Sequence, residues 1–321
     1  MLLPVLKGLA TYVPGLYGLA RHNTGGTNSA RYCYSVWLRH LVNAWGVNGG
    51  RVPAVVAEIG PGDSLGSGLA ALISGAGKYF AFDVLEYADN KRNLLILDEL
   101  IALFRGAAQI PSEAEFPNLK PPLESCAFPS HILPPGELQR LLAPERLAAI
   151  RSALMNFKNR ATSSGIRSAS GPFEIRYAVP WSDPREIAEG TVDMIYSQAA
   201  MEHVEDAEGT YAAAFKWLKP GGIMSNQVDL GSHGISKEWN GHWAYSGLMW
   251  RVIKGRRPYL LNRLPHSAHA ALLKKAGFSI LRELPFKDAS GISRASLAPC
   301  FSGISEEDLV TSGVFIQAGK P

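Results

Sequence analysis

Val55-Val56-Ala57-Glu58-Ile59-Gly60-Pro61-Gly62-Asp63-Ser64-Leu65-Gly66 reads as a buried strand, a glycine-bent turn and the start of a helix. In an α/β sheet that order brings a ligand to the carboxyl end of the strand. Gly60 and Gly62 lack a Cβ and accept positive φ, so the backbone can approach a ligand closely. In a dinucleotide site the helix N-terminus would then face a pyrophosphate. Here Gly66 comes one residue late for Gly-x-Gly-x-x-Gly. Glu58 stands at the strand's carboxyl end, where a carboxylate repels phosphate and attracts an ammonium group. The turn is therefore read as holding a cationic ligand.

The string Glu58-Ile59-Gly60-Pro61-Gly62 resembles the first motif of class I S-adenosylmethionine-dependent methyltransferases, whose cofactor carries an ammonium and a sulfonium but no phosphate. Further strings follow in order. Lys78-Tyr79-Phe80-Ala81-Phe82-Asp83 reads as a second strand ending in an acid, roughly 20 residues beyond the glycine turn, where a ribose diol is held. Val192-Asp193-Met194-Ile195-Tyr196-Ser197 reads as a later strand. Met201-Glu202-His203-Val204 and Leu218-Lys219-Pro220-Gly221-Gly222 are similar to strings in small-molecule methyltransferases of this class. The resemblance implies an α/β, Rossmann-like, doubly wound fold with a mostly parallel seven-stranded sheet and helices on both faces. It also implies S-adenosyl-L-methionine as cofactor, with Glu58, Gly60, Gly62, Asp63, Ser64, Asp83, Val84, Trp181, Ser197 and His203 as its candidate contacts. Trp181 either borders the adenine or is core. His203 either shapes the cofactor wall or is a further base.

A chain of 321 residues, 46% hydrophobic, is long enough to bury a substantial core. Its net charge of +4 is mildly basic, and no long lysine and arginine run marks a nucleic-acid footprint. Ser197-Gln198-Ala199-Ala200 stands where the related base methylases carry Asn/Asp-Pro-Pro-aromatic, which also argues against nucleic acid. Three separated cysteines, Cys33, Cys126 and Cys300, imply a reducing compartment and a cytoplasmic location. The apolar stretch from Met1 to Tyr17, broken by Pro4, Lys7 and Pro14, is read as a packed segment with no membrane span.

The chain divides into an N-terminal helical cap at 1–50 and a methyltransferase domain at 51–321. A helix is expected across Trp37, Leu41 and Trp45, after a turn-rich loop at 23–29. An insertion at about 105–172, too long for a bare loop, is expected to cover the substrate pocket or make a subunit contact in a homo-oligomer. Strands are expected at Phe173 to Ala178, Ile223 to Val228, Phe278 to Leu284 and Gly313 to Gln317.

Methyl transfer to a hydroxyl needs a base, whereas an amine need only be neutral. The segment after the fifth strand is densest in suitable groups, and Asp229, His233 and His242 are its base candidates. Trp239, Trp243 and Arg263, with Arg31 and Tyr34 upstream, are candidates for binding the acceptor. Each of the last three has an equal reading as surface or packing. Asp229 and His233 offer two ligands for a divalent ion, but no tight ligand spacing supports a metal, and none is expected. Gln227-Val228-Asp229-Leu230, Trp239-Asn240-Gly241-His242-Trp243 and Asn262-Arg263-Leu264 resemble methyltransferases encoded beside bacterial polysaccharide genes. That resemblance implies O-methylation of a saccharide or nucleotide-linked sugar. A phenolic or amine-bearing metabolite, or a catalytically inactive partner subunit, are the alternatives.

Overall fold

The computed structural model describes residues 2–13, 26–156, 166–170 (backbone), 172–181 and 183–321. Strands β1 (Val55–Ile59), β2 (Lys78–Phe82), β3 (Ile166–Ser170), β4 (Phe173–Ala178), β5 (Val192–Gln198), β6 (Leu218–Asp229), β7 (Ser279–Lys287) and β8 (Thr311–Gly319) form one sheet. Its order is β3-β4-β2-β1-β5-β6-β8-β7. Strands β4, β2, β1, β5 and β6 are parallel, while β8 runs antiparallel to both β6 and β7. These seven strands make the expected Rossmann-like sheet. An eighth, β3, joins its edge antiparallel to β4 from within the insertion.

The chain leaves β1 toward β2 on one side and returns to β5 on the other, so a crevice opens at the carboxyl ends of β1 and β5. Such a reversal point is where doubly wound sheets bind ligands. Period-two alternation along the strands gives each face its own core. Val56, Tyr79, Tyr177 and Tyr196 face helices α2 (Ala30–Trp45), α3 (Gly66–Ile73) and α4 (Asn90–Arg105), along with α5 (Pro135–Leu141) and α6 (Pro144–Met155). Ala57, Phe82, Ile195 and Met224 pack instead beneath α7 (Ala207–Trp217) and α9 (His266–Ala276), through side chains such as Tyr211 and Leu273.

The expected N-terminal cap contains α1 (Leu2–Ala10) and α2. Helix α2 is a core element: Cys33, Tyr34, Trp37, Leu38 and Leu41 are fully buried. Helix α1 lies across α8 (Gly247–Lys254), where Gly8 meets the carbonyls of Val252 and Ile253, and it turns Leu2, Leu3, Leu6 and Leu9 to solvent. The insertion is tied to α2 rather than standing apart. The buried Arg39 guanidinium donates to the carbonyls of Pro111 and Pro121, and Ser35 donates to Pro111. Among the described residues no helix is long and apolar enough to cross a membrane.

Candidate active site

The glycine turn at the end of β1 works through two left-handed residues, Gly60 at φ 75° and Gly62 at φ 71°. A Cβ on Gly60 would collide with that of Ala200, so glycine is required there for space as well as conformation. The N–H groups that a pyrophosphate would use are already bonded. Asp63 donates to Thr27, Leu65 to Asn93 and Gly66 to Ser64. This agrees with the non-phosphate reading of the turn.

Asp83 closes β2 with its carboxylate accepting from the N–H of Gly62 at 3.4 Å and of Val84 at 2.7 Å. Burial pushes its pKa up to about 6, against the lowering effect of those N–H groups. A carboxylate fixed beside the glycine turn fits a ribose diol, the role expected of it. Val84 contributes its backbone to that corner. Trp181 sits nearby with ring centroids 5.3 Å from both Phe82 and Trp217, and donates its indole N–H to Asp183. It is half-buried and packs in the aromatic core with Phe82 and Trp217.

Glu58 requires a correction. It does not face the crevice: it is 2% exposed and accepts hydrogen bonds from the hydroxyls of Tyr79 and Tyr196 beneath the turn. Burial raises its pKa to about 7, with the two tyrosine hydroxyls working the other way. Asp63 and Ser64 are likewise inward, at 2% and 1% exposure. Ser64 donates to the Thr27 carbonyl, and the Asp63 carbonyl accepts from Arg92. Ser197 is fully buried and donates to Asn226, so it is core rather than a cofactor contact.

At the opposite rim, β5 and β6 deliver the chemistry. A 3-10 turn, Met201–His203, follows β5 and is held by Asn262, which donates through its side chain to the carbonyls of Met201 and Val204 and through its N–H to Glu202. Asp229 ends β6, and His233 sits four residues on with its Nε2 3.6 Å from Asp229 Oδ2. The His233 ring lies 4.9 Å from that of His203, edge to face. His233 is exposed and at φ 48°, a conformation non-glycine residues rarely adopt.

His242 is not at this rim as a free base. It is 2% exposed with Nδ1 3.2 Å from Ser232 Oγ, and burial, then the nearby Arg263 charge, lowers its pKa to about 3. The acceptor-binding candidates are also mostly structural. Trp243 is fully buried against Ile304 and Leu309 and donates to the Arg263 carbonyl. The Arg263 guanidinium donates to the carbonyls of His242 and Tyr245 and lies over the rings of Trp250 and Phe301. Trp239, half-buried, donates to the Asp288 carbonyl. Tyr34 donates to the Ala108 carbonyl from a fully buried position, and Arg31 makes a bidentate exposed pair with Glu115.

Three residues outside the sequence-derived candidates belong here. Tyr32 on α2 is buried deeply enough to lift its pKa to about 12, with Cys33, Glu202, Glu58 and Asp229 adding to the shift. Thr27 anchors the Gly26–Asn28 turn to Asp63 and Ser64. Glu202 is 2% exposed and neither of its carboxyl oxygens has a well-formed hydrogen bond; burial, then the Asp229 charge, raises its pKa well above the ordinary value, against a weaker lowering by the nearby backbone N–H groups of Glu202 and Asp229. Tyr32 and Thr27 carried no motif, whereas Glu202 had its Glu-His string as a signal.

A family model described as a methyltransferase domain matches residues 160–225. Phosphoethanolamine N-methyltransferase 1 of Triticum aestivum is 41% identical over 56 residues, which are 17% of this chain and 10% of that protein. The chain thus spans about a tenth of the length of the curated relative it matches. Among solved structures, Haemonchus contortus phosphoethanolamine N-methyltransferase 2 in complex with S-adenosyl-L-methionine aligns with a TM-score of 0.41 at 15% identity, covering 89% of this chain and 53% of that one. An S-adenosylmethionine-dependent methyltransferase from Mesorhizobium loti aligns with a TM-score of 0.37 at 12% identity, covering 83% and 90%. The matched segment carries β4 and β5, and the acid-flanked glycine turn lies at the end of the neighbouring strand β1, so the likeness to a methyltransferase domain falls on the strands that flank the crevice.

Proposed function

We propose that the chain methylates a hydroxyl oxygen of a small molecule, with a saccharide as the acceptor class. The observation that carries this is the His233–Asp229 pair, 3.6 Å apart on the side of the crevice opposite Asp83. An aliphatic hydroxyl keeps its proton at neutral pH, so its methylation calls for a positioned base. An imidazole beside a carboxylate suits that task, because Asp229 stabilises the charged ring once His233 has taken the proton. Held by Asp83 and the glycine turn, S-adenosylmethionine supplies a methyl carbon activated by its sulfonium. The Gly26–Asn28 turn, pinned on Asp63 and Ser64, would exclude water from that end of the crevice, and the His233 rim would align the acceptor.

A second reading, transfer to an amine, is favoured by Asp229, whose carboxylate suits a cationic acceptor, and by the 56-residue likeness to a phosphoethanolamine N-methyltransferase. Incubation with methyl-labelled cofactor and matched panels of sugars, nucleotide sugars and amines, read by mass spectrometry, decides between them. Label in an ether-linked methyl of a sugar supports the first reading. Label only on nitrogen overturns it.

A further inference from the structure

We propose that Glu202, His203 and His233 form a binding site for a divalent first-row transition-metal ion, with Zn2+ as the best-matched ion. One donor atom from each residue can be chosen so that all three lie within 4.8 Å of one another. A metal of this class bonds nitrogen and oxygen at about 2.0–2.2 Å, so modest side-chain rotation brings these donors into a common shell. Two imidazoles and one carboxylate suit Zn2+, whereas Mg2+ prefers an all-oxygen shell.

The second, independent observation is the unmet bonding of the buried members. Both oxygens of the Glu202 carboxylate and the Nδ1 of His203 are buried without a hydrogen-bond partner. A buried polar group without a partner costs on the order of 1–3 kcal/mol, and more when charged, so side chains kept this way in one place call for a ligand. A cation answers a bare carboxylate directly. The shell is preorganised from outside: Asn262 bonds the carbonyls of Met201, Glu202 and Val204 and so fixes the turn that carries two of the three ligands. The third ligand, His233, is exposed and gives the ion a way in. Asp229, within 3.6 Å of His233, adds negative charge beside the site.

The site does not depend on the methyl-transfer reading, but it sharpens that reading. His233 is the base of the metal-free chain; with an ion bound it would be a ligand instead, and Asp229 would stand beside the ion to accept the acceptor's proton. The ion's part would be to lower the pKa of an oxygen bound to it.

The test uses the full chain stripped with a chelator, dialysed against Zn2+ and analysed for metal content, with titration calorimetry in parallel and no cofactor present. We expect one equivalent bound per chain, a characteristic visible spectrum when Co2+ replaces Zn2+, and at least tenfold weaker binding in Glu202→Gln and His233→Ala. His233→Ala removes an exposed side chain, and circular dichroism verifies its folding. Absence of bound metal in the wild-type chain overturns the proposal, as does unchanged affinity in a Glu202→Gln/His233→Ala double variant. Metal binding without methyl transfer to any acceptor would instead overturn the proposed function alone.

Discussion

Tyr196 stands directly opposite Glu58 in the β1–β5 ladder and donates its hydroxyl to the Glu58 carboxylate at 2.9 Å, inside the core. Removing this donor with Tyr196→Phe leaves a buried acid with one tyrosine. We expect a stability loss of about 1–3 kcal/mol by denaturant unfolding. A further rise in the Glu58 pKa should accompany it, because the tyrosine hydroxyl favours the ionised form. Unfolding identical to wild type would show that the tyrosine pair does not hold the acid.

Asp83 can accept from a ribose diol through both oxygens only when ionised. Its pKa lies near 6, so cofactor affinity should weaken progressively as pH falls below about 6, by up to tenfold per pH unit. Asp83→Asn should lower affinity by about ten- to a hundredfold and remove that part of the pH dependence. Calorimetry with S-adenosylhomocysteine between pH 5 and about pH 8 measures both effects, and a flat profile in the wild type would refute the assignment.

His233 and His242 should separate cleanly. Loss of a positioned base lowers kcat by roughly 10²–10⁴-fold, which is the expectation for His233→Ala with little change in stability. His242→Ala should instead lower stability, because that ring is packed against Trp243 and held at Ser232. Full turnover in His233→Ala would remove it from the chemistry.

Trp243→Ala should act on the fold in the same way, costing about 3–5 kcal/mol through the cavity it leaves beneath Ile304 and Leu309. Measured KM values for the acceptor in the surviving folded fraction should stay within a few-fold of wild type. A large rise in KM with unchanged unfolding would restore Trp243 to the binding surface.

The buried histidines should respond to acid in a definite window. Burial lowers the pKa of His40 to about 4, of His242 to about 3 and of His269 to about 4. Each is protonated more readily unfolded than folded, so its contribution is full above about pH 6.5 and is lost as pH falls toward 4, about 2 kcal/mol per residue at pH 5. Glu58 and Asp83 act oppositely: their raised pKa values favour the folded state below the ordinary carboxylate range, a contribution lost as pH rises through about 7 and 6. His203 shifts with the histidines and Glu202 with the acids, so the histidine part is read by difference: His269→Gln should lose less stability than wild type between about pH 7 and about pH 5.

The sheet was readable because buried strands announce themselves locally. The Phe173 to Ala178 strand stands as expected, and the final strands only lengthen, to Ser279–Lys287 and Thr311–Gly319. Strand β3 was not foreseen, since its pairing comes from the neighbouring β4 rather than from a pattern in Ile166–Ser170. Asp83 and the Asp229–His233 pair do stand at the ends of β2 and β6, where their place after buried runs in the sequence puts them. Arg263 and Trp243 misled because their residue types suit binding, while their actual partners, Phe301, Tyr245 and Leu309, come from other parts of the chain. The Glu202–His203–His233 group escaped for a related reason. Roughly thirty residues separate its members, and only the adjacency of β5 and β6 makes them neighbours.

Thr27 holds the Gly26–Asn28 turn down on Asp63 and Ser64, while His233 is exposed. A ligand seated on the glycine turn would lie beneath that turn, and one at His233 would lie outside it, toward solvent. Nesting of this kind dictates a sequence of events. The inner ligand must enter before the outer one and leave after it, so the spent cofactor should be the last product released and should compete with fresh cofactor but not with the acceptor.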